Sequence, residues 1–201
     1  MEKKLEVEAQ LFQFGPLIGK YQLDKNFILS LNERGENSKI DHKSMLAGHI
    51  NNEFLYSKED QEWFMKEIDY VFFDYIQKLK KISLNPKFNI KSVMLRSLWI
   101  NFMKNGEYNP PHDHTGNISF VIYTSVPKEI ISENLEFEGK GAGPGCITFL
   151  YGEKSIMYKT IFSFIPKEGD MFLFPASLRH FVAPFKSDVE RVSISGNIDL
   201  E

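Results

Sequence analysis

The sequence predicts a mainly β fold with flanking helices, and three observations carry that expectation. Eighteen Phe, eight Tyr and two Trp make the chain 14% aromatic, and such side chains pack well on a half-buried pleated surface. After Pro86 the chain breaks into eight apolar runs, at about 90–103, 118–126, 134–138, 146–151, 156–165, 170–174, 179–184 and 190–199, separated by Gly, Pro, Asn and Asp. No helix of useful length is expected among them, so the runs call for a closed double-sheet architecture, with the preceding helices covering one outer face.

Leu5, Val7, Ala9 and Leu11 fall at every second position, the pattern of an opening strand with one buried face, which Gly15 and Pro16 end. A short helix is expected after Asp24, with Phe27, Ile28 and Leu31 on one face and Gly35 at its end. Residues 36–56 read as irregular. Ser57 and Asp60 resemble a capping box, and Phe64, Ile68, Val71, Phe72, Tyr75, Ile76 and Leu79 then recur at helical spacing, which predicts the longest helix with that face packed on a sheet. The glycines of 139–145 lack the Lys-Ser or Lys-Thr of a phosphate loop and predict a turn or loop.

The chain has 201 residues, 42% of them hydrophobic, which suits one domain. Residues 1–85 would supply the N-terminal strand and supporting helices, and 86–201 the β core. Twenty-four Lys and Arg against 27 Asp and Glu give a net charge of −3, so there is no basic field to attract nucleic acid as an obligate partner. MEKKLEVEAQ lacks a continuous apolar stretch, and no segment approaches the roughly 18 apolar residues of a spanning helix. No membrane association is expected. Cys146 is the single cysteine, so no intramolecular disulfide can form, which fits a reducing, cytoplasmic setting. It precedes an apolar run and reads as a small core residue rather than a nucleophile. An edge strand near the N-terminus could pair with a second copy, and oligomeric state stays open.

Three of the five histidines sit where metal chemistry wants them. In an extended segment, residues i and i+2 share a face, so His112 and His114 can converge on one ion while Asp113 points away. Pro110 and Pro111 favour extended geometry on the approach. His180 follows the run Gly169 to Pro175, and a late strand of a closed sheet can lie beside an early one. Three imidazoles leave coordination positions open, which suits a catalytic rather than a structural centre. Arg191 and Ser193 share a face of the next strand, and a planar guanidinium fork with a hydroxyl beside it matches a carboxylate. His42 and His49, in the irregular segment, read as surface or loop residues.

Asn109-Pro110-Pro111-His112-x-His114, Ser119-x-Val121-x-Tyr123-x-x-Val126-Pro127, Phe174-Pro175 with His180 following, and Arg191-x-Ser193-x-x-x-Asn197 together resemble the 2-oxoglutarate- and Fe(II)-dependent oxygenases of marine bacteria and phages. The resemblance spans about residues 99–197. It implies a double-stranded β-helix, the cupin-like jelly roll, with Fe(II) on His112, His114 and His180 and 2-oxoglutarate as cosubstrate bound through Arg191 and Ser193. It implies oxidative decarboxylation to succinate and CO2, coupled to hydroxylation of a small molecule or a protein side chain. Tyr123 is a further candidate to hydrogen-bond the cosubstrate. Asn101 and Trp99 are candidates to line the pocket, Trp99 chiefly as core packing. Most members of the wider superfamily bind iron through two histidines and a carboxylate, and here the carboxylate position is His114. Asp113 restores the usual triad only if the segment twists out of extended geometry. Two other readings stay open: a three-histidine cupin-type dioxygenase without 2-oxoglutarate, and a non-catalytic metal-binding jelly-roll module. Substrate selection is expected from 36–56 and 128–145.

Overall fold

The computed structural model describes residues 15–82 and 90–201; the alternation at Leu5 to Leu11 lies outside them. In chain order the elements are strand β1 (Gly19–Gln22), helix α1 (Lys25–Glu36), strand β2 (Ile40–Asp41), a 3-10 turn at Lys43–Met45, strand β3 (Asn52–Leu55) and helix α2 (Lys58–Ile82). Then come β4 (Val93–Met103), β5 (Asn109–His112), β6 (Ile118–Ser125), α3 (Lys128–Leu135), β7 (Ile147–Leu150), β8 (Ile161–Phe164), β9 (Asp170–Pro175), β10 (His180–Val182) and β11 (Arg191–Leu200). Among the described residues no helix is long and apolar enough to cross a membrane.

The strands form a seven-stranded sheet, ordered β1-β9-β6-β11-β4-β3-β2, and a four-stranded sheet, β5-β10-β7-β8. Period-two alternation assigns each strand residue to a layer. Phe120 and Ile122 on β6, Met171 and Leu173 on β9, and Ile194 on β11 join Phe64, Ile68, Phe72 and Ile76 of α2 in a core between helices and large sheet. Their neighbours Val121, Tyr123, Phe172 and Phe174 turn the other way and meet Ile147, Phe149 and Val182 of the small sheet. Both faces of the large sheet are thus covered, which is why β6 is buried along nearly its whole length. This is the jelly roll the sequence predicts, with α1 and α2 on one outer face, while α3 packs Ile130 into the core between the sheets.

Local chemistry explains the helix ends. Asp24 accepts from the backbone N–H groups of Asn26 and Phe27 and caps α1. Ser57 accepts from the N–H of Asp60 at 3.1 Å and donates its hydroxyl to the Asp60 carboxylate at 2.6 Å, while Glu59 and Asp60 open α2 and Lys80 and Lys81 close it, in the sense the helix dipole favours.

Several expectations are corrected. Gly35 does not end α1 but lies within it, where an added Cβ would run into the Tyr56 hydroxyl and Ile100. Residues 36–56 are not irregular: β2 and β3 pair with each other and extend the large sheet beyond β4. The run at 134–138 is not a strand. It is the end of α3 and the turn after it, and Leu135 and Phe137, whose alternation suggested a strand, are exposed. The run at 156–165 narrows to the four residues of β8. Conversely, Asn109–His112 forms a strand despite its two prolines, because β5 is the edge of its sheet and an edge residue can lack a donor.

Candidate active site

Pairing between β5 and β10 places His112 directly opposite His180. The ring centroids of His112 and His180 are 4.4 Å apart, those of His112 and His114 4.9 Å, and those of His114 and His180 5.1 Å. One nitrogen from each ring falls within 4.8 Å of the others, so the three can hold a single ion. Asp113 is exposed and is not part of this cluster, so the geometry lends the two-histidine-carboxylate alternative no support.

Backbone carbonyls aim two of the rings. Nδ1 of His112 lies 2.6 Å from the Pro110 carbonyl and Nδ1 of His180 lies 2.9 Å from that of Leu178. A carbonyl only accepts, so each Nδ1 carries the proton and each Nε2 presents a lone pair. Burial pushes the His180 pKa down to about 3, with His112 beside it adding to the shift, and burial together with His112 pushes His114 down to about 4. Burial also lowers His112, against the opposing pull of the Pro110 carbonyl. All three are therefore neutral at physiological pH, the state in which imidazole coordinates a metal. His180 is itself packed between Phe149 and Phe174.

The floor of the cavity is the inward face of the large sheet. Arg191, Ser193 and Ser195 of β11, Trp99 and Asn101 of β4, and Val121 and Tyr123 of β6 all line the same cavity as the three histidines. Arg191 is 1% exposed. It donates from Nη1 to the Gly145 carbonyl at 3.0 Å and from Nη2 to the Met103 sulfur at 2.8 Å, while Nε has no partner among the described residues. Its guanidinium carbon stands 5.3 Å from the centroid of the Tyr123 ring, and the buried Tyr123 hydroxyl is also without a partner. Burial pushes the Tyr123 pKa up to about 12, so the phenol keeps its proton and can donate. Two buried donors left unmatched beside a buried cation fit the carboxylate of a ligand. Asn101 uses Nδ2 on the Ser193 carbonyl at 3.2 Å and on the Ser195 hydroxyl at 3.4 Å, which fixes it as a wall of the cavity. Trp99 is buried and its ring lies 5.9 Å from that of His114, so it packs the core and borders the site at once.

His42 and His49 stay outside the cluster, as expected. His42 leans on the outer side of Trp99 at 5.7 Å and His49 stacks on Tyr108 at 4.8 Å. Cys146 is buried, burial raises its pKa, and Asn134 donates to its sulfur, the environment of a core thiol. The sequence reading missed Glu53. It is 2% exposed, lines the cavity from β3, and its Oε2 has no hydrogen-bond partner among the described residues. The only signal for it was Phe54 and Tyr56 alternating on the helix-facing side, which turns residue 53 inward. Of the segments expected to select substrate, 36–56 supplies Leu46, Ala47, Gly48 and Glu53 to the cavity, whereas 128–145 supplies none of its lining.

Geometry of this kind belongs to the metal-dependent enzymes built on a jelly roll with coordination positions left open. Residues 97–197, half of the chain, match the family model described as "Putative 2OG-Fe(II) oxygenase", and the chain belongs to that family. It is accordingly a 2-oxoglutarate-dependent oxygenase, with Fe(II) as metal and 2-oxoglutarate as cosubstrate. No curated protein matches the sequence. Solved structures share the fold at low identity. A Pseudomonas putida prolyl-4-hydroxylase superposes with a TM-score of 0.57 at 12% identity, covering 92% of each chain. The viral collagen prolyl hydroxylase of Paramecium Bursaria Chlorella virus-1, solved with 2-oxoglutarate, gives 0.51 at 16% identity over 90% of this chain and 94% of that one. HygX from Streptomyces hygroscopicus, solved with nickel and 2-oxoglutarate, gives 0.51 at 10% identity over 90% and 82%.

Proposed function

We propose that the chain hydroxylates a C–H bond, with iron held by Nε2 of His112 and His180 and by His114, and with one carboxylate of 2-oxoglutarate taken by Arg191. The observation that carries this reading is the Arg191 guanidinium, buried in the wall of the cavity that holds the three imidazoles and bound, among the described residues, only to a carbonyl and a thioether. A buried cation without an anion is costly, and a dicarboxylate cosubstrate supplies the missing charge.

Each residue then has a defined task. Arg191 orients the cosubstrate through its planar fork, Tyr123 donates its hydroxyl to the same carboxylate, and Ser193 adds a second hydroxyl on the same face. Asn101 holds the β11 backbone beneath them, and Trp99 and Phe174 keep bulk water from the centre. Iron bound at the three histidines supplies the redox chemistry that couples reduction of O2 to decarboxylation of 2-oxoglutarate, with succinate and CO2 released. Three neutral ligands leave that metal more positive than a carboxylate-containing set would, which favours an anionic cosubstrate. The substrate is a small molecule or a protein side chain, the working unit is one domain, and the setting is the cytoplasm, a reading supported by the lone buried cysteine.

The all-imidazole ligand set also favours one competing reading, a cupin-type dioxygenase that needs no cosubstrate. Oxygen uptake and succinate release by the purified Fe(II) protein separate the two. Coupled release that is abolished in Arg191→Ala supports the oxygenase. Turnover independent of 2-oxoglutarate, and retained in Arg191→Ala, supports the competitor.

A further inference from the structure

The register of the large sheet aligns four polar residues in one row across four strands. Glu53 on β3 pairs with Asn101 on β4, Asn101 with Ser193 on β11, and Ser193 with Tyr123 on β6. Partners across a sheet share a face, and all four line the cavity. With strands about 4.8 Å apart, the row runs roughly 14 Å from Tyr123 to Glu53. The end at Tyr123 and Arg191 is positive. The other end gathers carboxyl groups: burial first, then Glu107 and Asp41 by repulsion, raise the Glu53 pKa to about 7 against a smaller opposing effect of Lys43, so a cation brought there favours the ionised form.

The two buried carboxylates at that end differ in kind. Glu107 is satisfied by the protein: it accepts from the backbone and side chain of Asn51 at 3.0 and 2.6 Å and from the Lys104 N–H at 2.8 Å. Glu53 is more deeply buried and, among the described residues, nothing donates to its Oε2. Beside it stands Gly48, where a Cβ would collide with the Asn109 Oδ1 and come within 3.2 Å of the Glu53 Oε1, so both side-chain oxygens pack close against the glycine. Two oxygen acceptors therefore lie near one another in the wall of the cavity, which Gly48, Glu53 and Asn109 all line. A carboxyl held in such a place either keeps its proton or ionises against a donor, so a cationic partner is what holds it as the carboxylate.

We propose that Glu53, with the Asn109 side-chain oxygen beside it, is the substrate-recognising end of this site, and that the primary substrate presents a cationic nitrogen, an alkylammonium or guanidinium group, to it. This rests on the oxygenase reading, which places the anionic cosubstrate at the opposite end. The polarity of the row then sorts the two ligands, since each end attracts one and repels the other.

Anaerobic calorimetric titration of the Fe(II) protein, with and without 2-oxoglutarate, tests this using n-butylammonium as probe and 1-butanol as its uncharged counterpart. The wild-type protein should bind the ammonium about tenfold or more tightly than the alcohol, in line with a charge-assisted hydrogen bond. In Glu53→Gln that preference should fall to about threefold or less. Equal binding of ammonium and alcohol by the wild-type protein, or an undiminished preference in Glu53→Gln, overturns the proposal. The wild-type comparison stands even if the variant does not fold. Titration of 2-oxoglutarate into the wild-type Fe(II) protein reads the underlying oxygenase assignment separately: no cosubstrate binding with an intact ammonium preference would sink that assignment and leave Glu53 as a cation site.

Discussion

His112 and His180 are 68 residues apart in sequence, yet they stand opposite each other on β5 and β10 with ring centroids 4.4 Å apart. Each donates Nδ1–H to the carbonyl two residues before it, Pro110 or Leu178. The same local device, used on two neighbouring strands, turns both Nε2 atoms inward. The site is thus built by strand register, and its rigidity is that of the sheet.

Replacing one ligand should therefore remove the metal without removing the fold. His180→Ala is expected to weaken Fe(II) binding by about 100-fold or more, beyond what loss of a supporting hydrogen bond does. Far-ultraviolet circular dichroism should stay that of the wild-type protein, because β10 remains paired on both sides. Iron retained at full stoichiometry would remove His180 from the ligand set.

Arg191→Met separates binding from stability. Removing a buried, unpaired charge and replacing it with an apolar chain of similar length should leave the metal-free protein about as stable as before. 2-Oxoglutarate should raise the melting temperature of the wild-type Fe(II) protein by mass action and leave that of Arg191→Met unchanged. The loss in affinity should be about 2–5 kcal/mol, that of truncating one partner of a desolvated charge pair.

Acid should destabilise the metal-free protein early. His180, at about 3, and His114, at about 4, bind protons in the folded state far less readily than in the unfolded chain, where histidine titrates near 6.5. As pH falls below about 6.5 the unfolded state gains protons that the folded state refuses, so stability declines. Glu53, raised to about 7 by burial and by Glu107 and Asp41, acts in the opposite sense, since the folded state takes up its proton first. Melting temperatures between pH 7 and 5 should fall for the wild-type apoprotein, fall less for His180→Ala and fall more for Glu53→Gln. A flat profile in the wild-type protein would mean that the imidazoles are not held neutral.

Much of this was legible in the sequence, for identifiable reasons. The α2 face, the capping Ser57 and the strands from β6 onward follow periodicities that burial enforces, and His112, His114, His180 and Arg191, each a weak signal singly, are distinctive together. The segment 36–56 was not legible, because β2 and β3 are short and β3 places a buried carboxylate where an apolar residue would have signalled a strand. Helix α3 was hidden because it buries only Ile130, so no helical stripe appears. Gly35 illustrates a third kind of failure, in which a residue that usually ends a helix is demanded by a neighbour's approach.

That last point can be measured. Gly35→Ala should gain about 1 kcal/mol of helix propensity, yet be less stable overall by about 1–2 kcal/mol in urea unfolding, because the added methyl displaces Tyr56 from its 2.8 Å hydrogen bond to the Leu31 carbonyl and presses on Ile100. A net gain in stability would show that α1 packs less tightly on Tyr56 and Ile100 than their geometry indicates.

The coordination sphere itself offers the most direct trial of the central claim. X-ray absorption at the iron edge, recorded on the anaerobic Fe(II) protein with 2-oxoglutarate, should require three imidazole ligands, two of them in His114→Ala, with no change in Asp113→Asn. Two imidazoles and a protein carboxylate in the native enzyme, with the carboxylate lost in Asp113→Asn, would contradict it.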